Sequence, residues 1–140
     1  MTPAERAAVV AEAHTWVGTP YHHHARLKQV GVDCAQILLA VYPALTRARM
    51  VDPGFYATDW HLHRNEEVYV RLLQEAGAVP TDDPQPGDIA LFVFGRTYSH
   101  GAIVVEDGFL VHAYLNRGVI LSRADEEPLQ GRVVTYWTIP

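Results

Sequence analysis

Apolar residues recur at helical spacing in the first half of the chain and at strand spacing in the second, with the change of period near Gly87. Thr2-Pro3-Ala4-Glu5 reads as a capping box with proline at the first helical position. Ala7, Val10, Ala11 and His14 continue that first helix through Trp16 and Val17, and Gly18 stops it ahead of Pro20. A loop carrying Tyr21 and the run His22-His23-His24 extends to Val32. From Asp33 to about Ala44 the chain is apolar nearly all round, which predicts a helix central to the core, ended or kinked by Pro43. Residues 47–63 are irregular, with Pro53-Gly54 as a turn and Phe55, Tyr56 and Trp60 as anchors. Asn65 caps a third helix to about Ala76, with Val68, Leu72 and Ala76 on one face and Gly77 as its stop. After a turn-rich stretch at 80–87, short β-branched or aromatic segments at 88–94, 100–106, 109–114, 118–122 and 132–138 predict an antiparallel meander. Helices followed by strands make an α+β fold over residues 1–140: N-terminal helices packed on a sheet of about five strands.

Composition narrows the function classes. The 140 residues suit one domain, and 49% apolar with 19% charged residues describes an ordinary globule. No apolar stretch approaches the roughly 20 residues of a membrane span, and the formal charge of −5 with no basic stripe argues against nucleic acid. Met1-Thr2-Pro3-Ala4-Glu5-Arg6 lacks the basic start and apolar core of a signal peptide, so the expectation is cytoplasmic synthesis, with delivery by another route such as an assembled particle.

The single cysteine rules out an internal disulfide and concentrates attention on Cys34, in Gly31-Val32-Asp33-Cys34-Ala35-Gln36-Ile37-Leu38. A polar loop opening into an apolar helix places the sulfur near the first turn, where unpaired N–H groups and the macrodipole favour thiolate. Asp33 opposes this electrostatically, and reads as the N-cap with its charge turned from the sulfur. His100 and His112 each lie at the margin of a strand, and a lone cysteine with distant histidines is a pattern for a catalytic nucleophile.

Five motifs then occur in order: Thr19-Pro20-Tyr21, Asp33-Cys34, Pro86-Gly87-Asp88-Ile89-Ala90-Leu91-Phe92, Ser99-His100-Gly101-Ala102-Ile103-Val104-Val105, and Val111-His112-Ala113. Together they resemble the NlpC-type cell-wall cysteine peptidases, a compact papain-like family, over residues 5–138. Asp59-Trp60-His61-Leu62-His63-Arg64 resembles the subgroup encoded among phage tail and gene-transfer-agent genes. The resemblance implies Cys34 as nucleophile on the central helix, His100 as general base and His112 as its orienter. It implies Tyr21 lining the site and helping to bind the oxyanion; beside it, Asp33, Gln36, Ser99 and His23 are candidates for the substrate side. It implies a peptidoglycan stem peptide as substrate, with phage-like tail proteins as partners; no cofactor or metal is expected, and neither nucleic acid nor membrane as partner. Ala35-Gln36 stands where most members have Ser-Gly, and His22-His23-His24 with Ala25-Arg26-Leu27 replaces the usual Gly-Gly, so the groove departs from the family pattern.

Strand register sharpens the expectation. A two-residue turn at Asp107-Gly108 puts His100 and His112 on opposite faces, whereas a three-residue turn Glu106-Asp107-Gly108 pairs Val105 with Phe109. Ala102 then faces His112 and His100 becomes its diagonal same-face neighbour. The longer turn is therefore predicted. Two rival readings stand beside the hydrolase: a zinc site from His22-His23-His24 with His61, His63, Asp59 or Cys34, disfavoured because neighbouring residues of an extended loop diverge, and a structural protein of a phage-like tail that keeps the fold without the chemistry. His14 is expected to be a satisfied partner on the first helix, and Trp16, Trp60 and Trp137 to be anchors.

Overall fold

The computed structural model describes residues 1–54 and 67–140, so Asn65, His61, His63 and the anchors Phe55, Tyr56 and Trp60 lie outside the described residues. Helix α1 spans Pro3–Trp16 and is capped as expected, the Thr2 Oγ1 accepting from the Glu5 N–H at 3.0 Å. Its buried face is Val9, Ala13 and Trp16 rather than Ala7, Val10, Ala11 and His14, which lie half-buried or exposed. Trp16 supplies by far the largest apolar surface on the helix, and its burial sets the rotation. The stretch expected to be only a loop also pairs with itself: β1 (Arg26–Leu27) and β2 (Gly31–Val32) form a small hairpin, and Tyr21 bridges to Val32.

Helix α2 spans Gln36–Leu45, and Pro43 neither ends nor breaks it at once. The Thr46 N–H and Oγ1 both donate to the Tyr42 carbonyl, closing the last turn two residues beyond the proline. Buried Ile37, Leu38, Val41 and Tyr42 pin this helix in the core, and the Tyr42 hydroxyl donates to the Gly87 carbonyl at 2.7 Å. Helix α3 spans Val68–Ala76 and ends at Gly77 in the left-handed region, as the sequence predicts. It buries Tyr69 and Leu73, the face one residue on from the expected Val68, Leu72 and Ala76. Among the described residues no helix is long and apolar enough to cross a membrane.

Strands β3 (Val79–Pro80), β4 (Ile89–Phe94), β5 (Thr97–Val104), β6 (Phe109–Tyr114), β7 (Gly118–Arg123) and β8 (Val134–Thr138) form an antiparallel sheet in the order β3-β8-β4-β5-β6-β7. The five expected strands are present within a few residues at their ends. The sixth, β3, is a two-residue edge too short to carry a periodic signal. One sheet face packs Ile89, Leu91, Ile103, Val111 and Val119 into the core shared with the helices, and the other packs Phe92, Ala102, Val104 and Leu110 against Leu129.

The predicted longer turn is present. Glu106–Gly108 forms a 3₁₀ turn with Asp107 and Gly108 both at positive φ, and the Val105 N–H donates to the Phe109 carbonyl at 2.9 Å. His14 holds this turn against α1 through Glu106, Nε2 to Oε1 at 2.6 Å.

The outer edge of β7 is closed by the end of α1, the Val119 N–H donating to the Thr19 carbonyl and the Val119 carbonyl accepting from Gly18. This close approach requires glycine at position 118, where φ is +77° and a Cβ would lie 2.5 Å from the Thr19 carbonyl oxygen. Gly118→Ala should therefore cost about 2–3 kcal/mol in urea unfolding, whereas Gly131→Ala, with similar φ but open space around it, should cost about 1 kcal/mol. Equal losses would show that backbone strain alone, not the Thr19 contact, sets the cost.

Candidate functional site

Asp33 organises the start of α2. Its Oδ1 accepts from the N–H groups of Ala35 (3.1 Å) and Gln36 (2.8 Å), and the Ile37 N–H bonds the Asp33 carbonyl, so Asp33 is the functional N-cap. Its Oδ2 accepts from the His24 N–H at 2.8 Å, and the His23 Nδ1 lies 3.9 Å away. The carboxylate, 1% exposed, thus ties the histidine loop to the helix start. His23 and His24 do not diverge as expected of an extended loop: with His24 at positive φ their rings meet edge-on, 4.1 Å between centroids. Among the described residues no three His, Cys, Asp or Glu side chains converge as metal ligands.

The Cys34 sulfur rests against the backbone of β5 on either side of His100. Its S–H donates to the Ser99 carbonyl at 3.6 Å, and the Gly101 N–H points at the sulfur. The strands explain why those groups are available. The β5–β6 ladder stops at Ile103↔Val111, although β5 reaches back to Thr97 and β6 runs on to Tyr114. Continued register would pair Gly101 with Ala113, and the thiol takes that place. A bulge at Ser99, where the β4–β5 register shifts between Phe92 and Val93, re-aims the strand beside it. The Ser99 hydroxyl donates to the Phe94 carbonyl at 3.1 Å, so Ser99 meets the thiol through its backbone and not through the side chain that the sequence pointed to.

The expected activation of the thiol by the helix start is not what dominates. Burial pushes the Cys34 thiol up to about 12, and the neighbouring Asp33 carboxylate pushes the same way. The N–H groups of Gly101, Cys34 and Ala35 oppose both without overcoming them. Cys34 is thus held as a neutral thiol at neutral pH. Tyr21, half-buried, has its phenol pushed up by burial and then by Cys34 and Asp33, which places it in the same field. Gln36 is buried, its N–H committed to Asp33.

His100 and His112 come together on one sheet face, as the turn requires. His100 Nε2 lies 2.7 Å from His112 Nδ1, with the rings nearly perpendicular. His112 Nε2 lies 2.9 Å from the Ser122 Oγ, and His112 is fully buried. Phe94 and Tyr114 wall this pair, with ring centroids 4.7 and 5.9 Å from that of His100, and Arg132 and Arg117 stack on their outer sides. Burial, and then the Arg117 charge, hold His112 down to about 4, so it is neutral at neutral pH.

Sequence reading misses Tyr69 and Ser122. The Tyr69 hydroxyl donates to the Cys34 carbonyl at 2.8 Å, bracing the Cys34 backbone from α3. Gly101 leaves room for it, because a Cβ there would collide with that hydroxyl and lie 2.9 Å from Leu38 Cδ1. The alternation of the β6–β7 hairpin places Ser122 on the same face as His112, a signal available once the turn between them is assigned.

Comparison with solved structures assigns the architecture. The fold is that of NlpC/p60 domains. The NlpC/p60 domain of the peptidoglycan hydrolase SagA superposes with a TM-score of 0.62 at 22% identity, covering 93% of this chain and 96% of that one. An NlpC/p60 family protein from Bacillus cereus gives 0.69 at 19% identity, and NlpC1 from Trichomonas vaginalis 0.68 at 19%. Those two matches cover 100% and 99% of this chain but 42% and 46% of theirs, so the chain spans less than half the length of either protein. No family model and no curated protein matches the sequence.

Two outcomes follow from the geometry. Tyr69→Phe should cost about 1 kcal/mol, and Gly101→Ala more. Adding Tyr69→Phe to Gly101→Ala should restore part of that loss, and strict additivity would refute the packing account. The second concerns acid. His112 has a lower proton affinity folded (about 4) than unfolded (6.5), so its contribution is fully present above pH 6.5 and is lost as the pH falls toward 4. At about 1.4 kcal/mol per factor of ten in proton affinity, it withdraws roughly 3 kcal/mol over that window. His112→Gln should flatten the stability profile between pH 6.5 and 4 relative to wild type, as read by denaturant midpoints.

Proposed function

We propose that the chain is a cysteine hydrolase cleaving peptide or isopeptide bonds of bacterial peptidoglycan stem peptides. The observation that carries this reading is the placement of the Cys34 sulfur on the β5 backbone flanking His100, with His100 hydrogen-bonded in turn to His112. The substrate class is supported by the likeness to the SagA domain, itself from a peptidoglycan hydrolase.

The chemistry runs as acyl transfer. His112 Nδ1 engages the Nε2 of His100, so the base is His100 Nδ1. It takes the Cys34 proton as the sulfur attacks the scissile carbonyl carbon. The Cys34 N–H, with Tyr21 at the same site, receives the developing oxyanion. Collapse of the tetrahedral adduct breaks the C–N bond, and the imidazolium gives its proton to the departing amine. Water, deprotonated by the same nitrogen, attacks the thioester and releases the acid and the Cys34 thiol. Asp33 holds the helix start by its cap, and His23 and Gln36 flank it where the stem peptide docks. Delivery in a phage-like particle rests on the sequence resemblance at residues 59–64, outside the described residues.

Purified protein should cleave stem-peptide fragments, read by mass spectrometry, and Cys34→Ala should not. Equal turnover by both would overturn the assignment. Iodoacetamide gives an independent measure. A thiol held near 12 reacts at neutral pH only if a base takes its proton, so Cys34 alkylation should be at least about tenfold faster in wild type than in His100→Ala. Equal, slow rates would favour a structural role in a phage-like tail.

A further inference from the structure

We infer that Ser122 is a positioning residue: its hydroxyl accepts the Nε2–H of His112 and thereby keeps His112 in the tautomer whose Nδ1 accepts from His100. The activity arm of this inference rests on the hydrolase reading, and the tautomer arm does not.

The chain His100 Nε2···His112 Nδ1···Nε2···Ser122 Oγ, with links of 2.7 and 2.9 Å, is buried along its length, His112 at 0% and Ser122 at 6% exposure. A neutral imidazole carries one donor and one acceptor, so the His112 bonds run in one of two directions. Running inward, the Ser122 O–H donates to His112 Nε2 and the His112 Nδ1–H donates to His100 Nε2. That leaves the His100 proton on Nδ1, where the base must be vacant. Running outward, the His100 Nε2–H donates to His112 Nδ1, and the His112 Nε2–H donates to Ser122.

Once His100 has taken a proton, both of its nitrogens are donors and only the outward direction remains. His112 must then carry its proton on Nε2, buried, with Ser122 Oγ as its acceptor. A hydroxyl suits this place because its lone pairs accept whichever way the O–H turns. No other partner of the Ser122 hydroxyl competes among the described contacts. Its position follows from the β6–β7 register, which pairs Leu110 with Ser122 and His112 with Ile120 and so makes Ser122 the diagonal same-face neighbour of His112.

Ser122→Ala removes the acceptor and leaves a buried donor unpaired in the protonated state. The expected loss is roughly ten- to a hundredfold in kcat with KM little changed, and Ser122→Thr, which keeps the hydroxyl on a strand, should recover most of it. The direct readout is the ¹⁵N chemical shifts of the His112 ring. Wild type and Ser122→Thr should show Nε2 protonated and Nδ1 bare, and Ser122→Ala should lose that preference. Wild type protonated at Nδ1 would overturn the inference even if the alanine variant failed to fold, and so would Ser122→Ala with unchanged kcat and tautomer. A wild type with the Nε2–H tautomer, lost in Ser122→Ala but inactive on stem peptides, would sustain the role of Ser122 and sink the hydrolase reading instead.

Discussion

The site depends on a ladder that stops early. Strands β5 and β6 pair at Val104↔Leu110 and Ile103↔Val111 and no further, and the carbonyl of Ser99 and the N–H of Gly101 turn to the Cys34 sulfur instead. Buried backbone groups must find partners, and here the Cys34 thiol is one of them. This places a side chain from a helix on one face of the sheet beside a histidine that shares its face with Phe92 and Ala102. The Ser99 bulge and the residue without a side chain at 101 are the local devices that let helix, strand and Tyr69 approach together.

The same packing against β5 that locates the sulfur also sets its chemistry. Desolvation and the Asp33 carboxylate raise the thiol further than the helix start lowers it, because the cap that forms the helix brings a full negative charge, while the N–H groups supply only partial positive ones. Burial acts on His112 in the opposite sense and keeps it neutral, so the two histidines differ in environment: one walled by Phe94 and Tyr114, the other enclosed and tied to Ser122.

Parts of this were legible from residues alone. Thr2, Gly77 and Asp33 announce helix ends because capping is a local interaction, and the turn Glu106-Asp107-Gly108 is forced once His100 and His112 must share a face, because side chains alternate with a period of two. What failed was rotation. The buried faces of α1 and α3 are Val9, Ala13 and Trp16, and Tyr69 and Leu73, since the bulkiest side chains turn inward and periodicity with several small or apolar residues admits more than one face. Missing that face on α3 meant missing Tyr69.

The sequence by itself determined the succession of helices and strands and the register that brings His100 and His112 to one face, all properties of neighbours along the chain. Only the tertiary structure decided that the ladder opens beside Gly101, that the half-buried Cys34 thiol is protonated rather than ionised, and that Tyr69 and Ser122 complete the arrangement. Those outcomes depend on the desolvation and contact of residues far apart in the chain, and no local pattern encodes how much water is left around a sulfur.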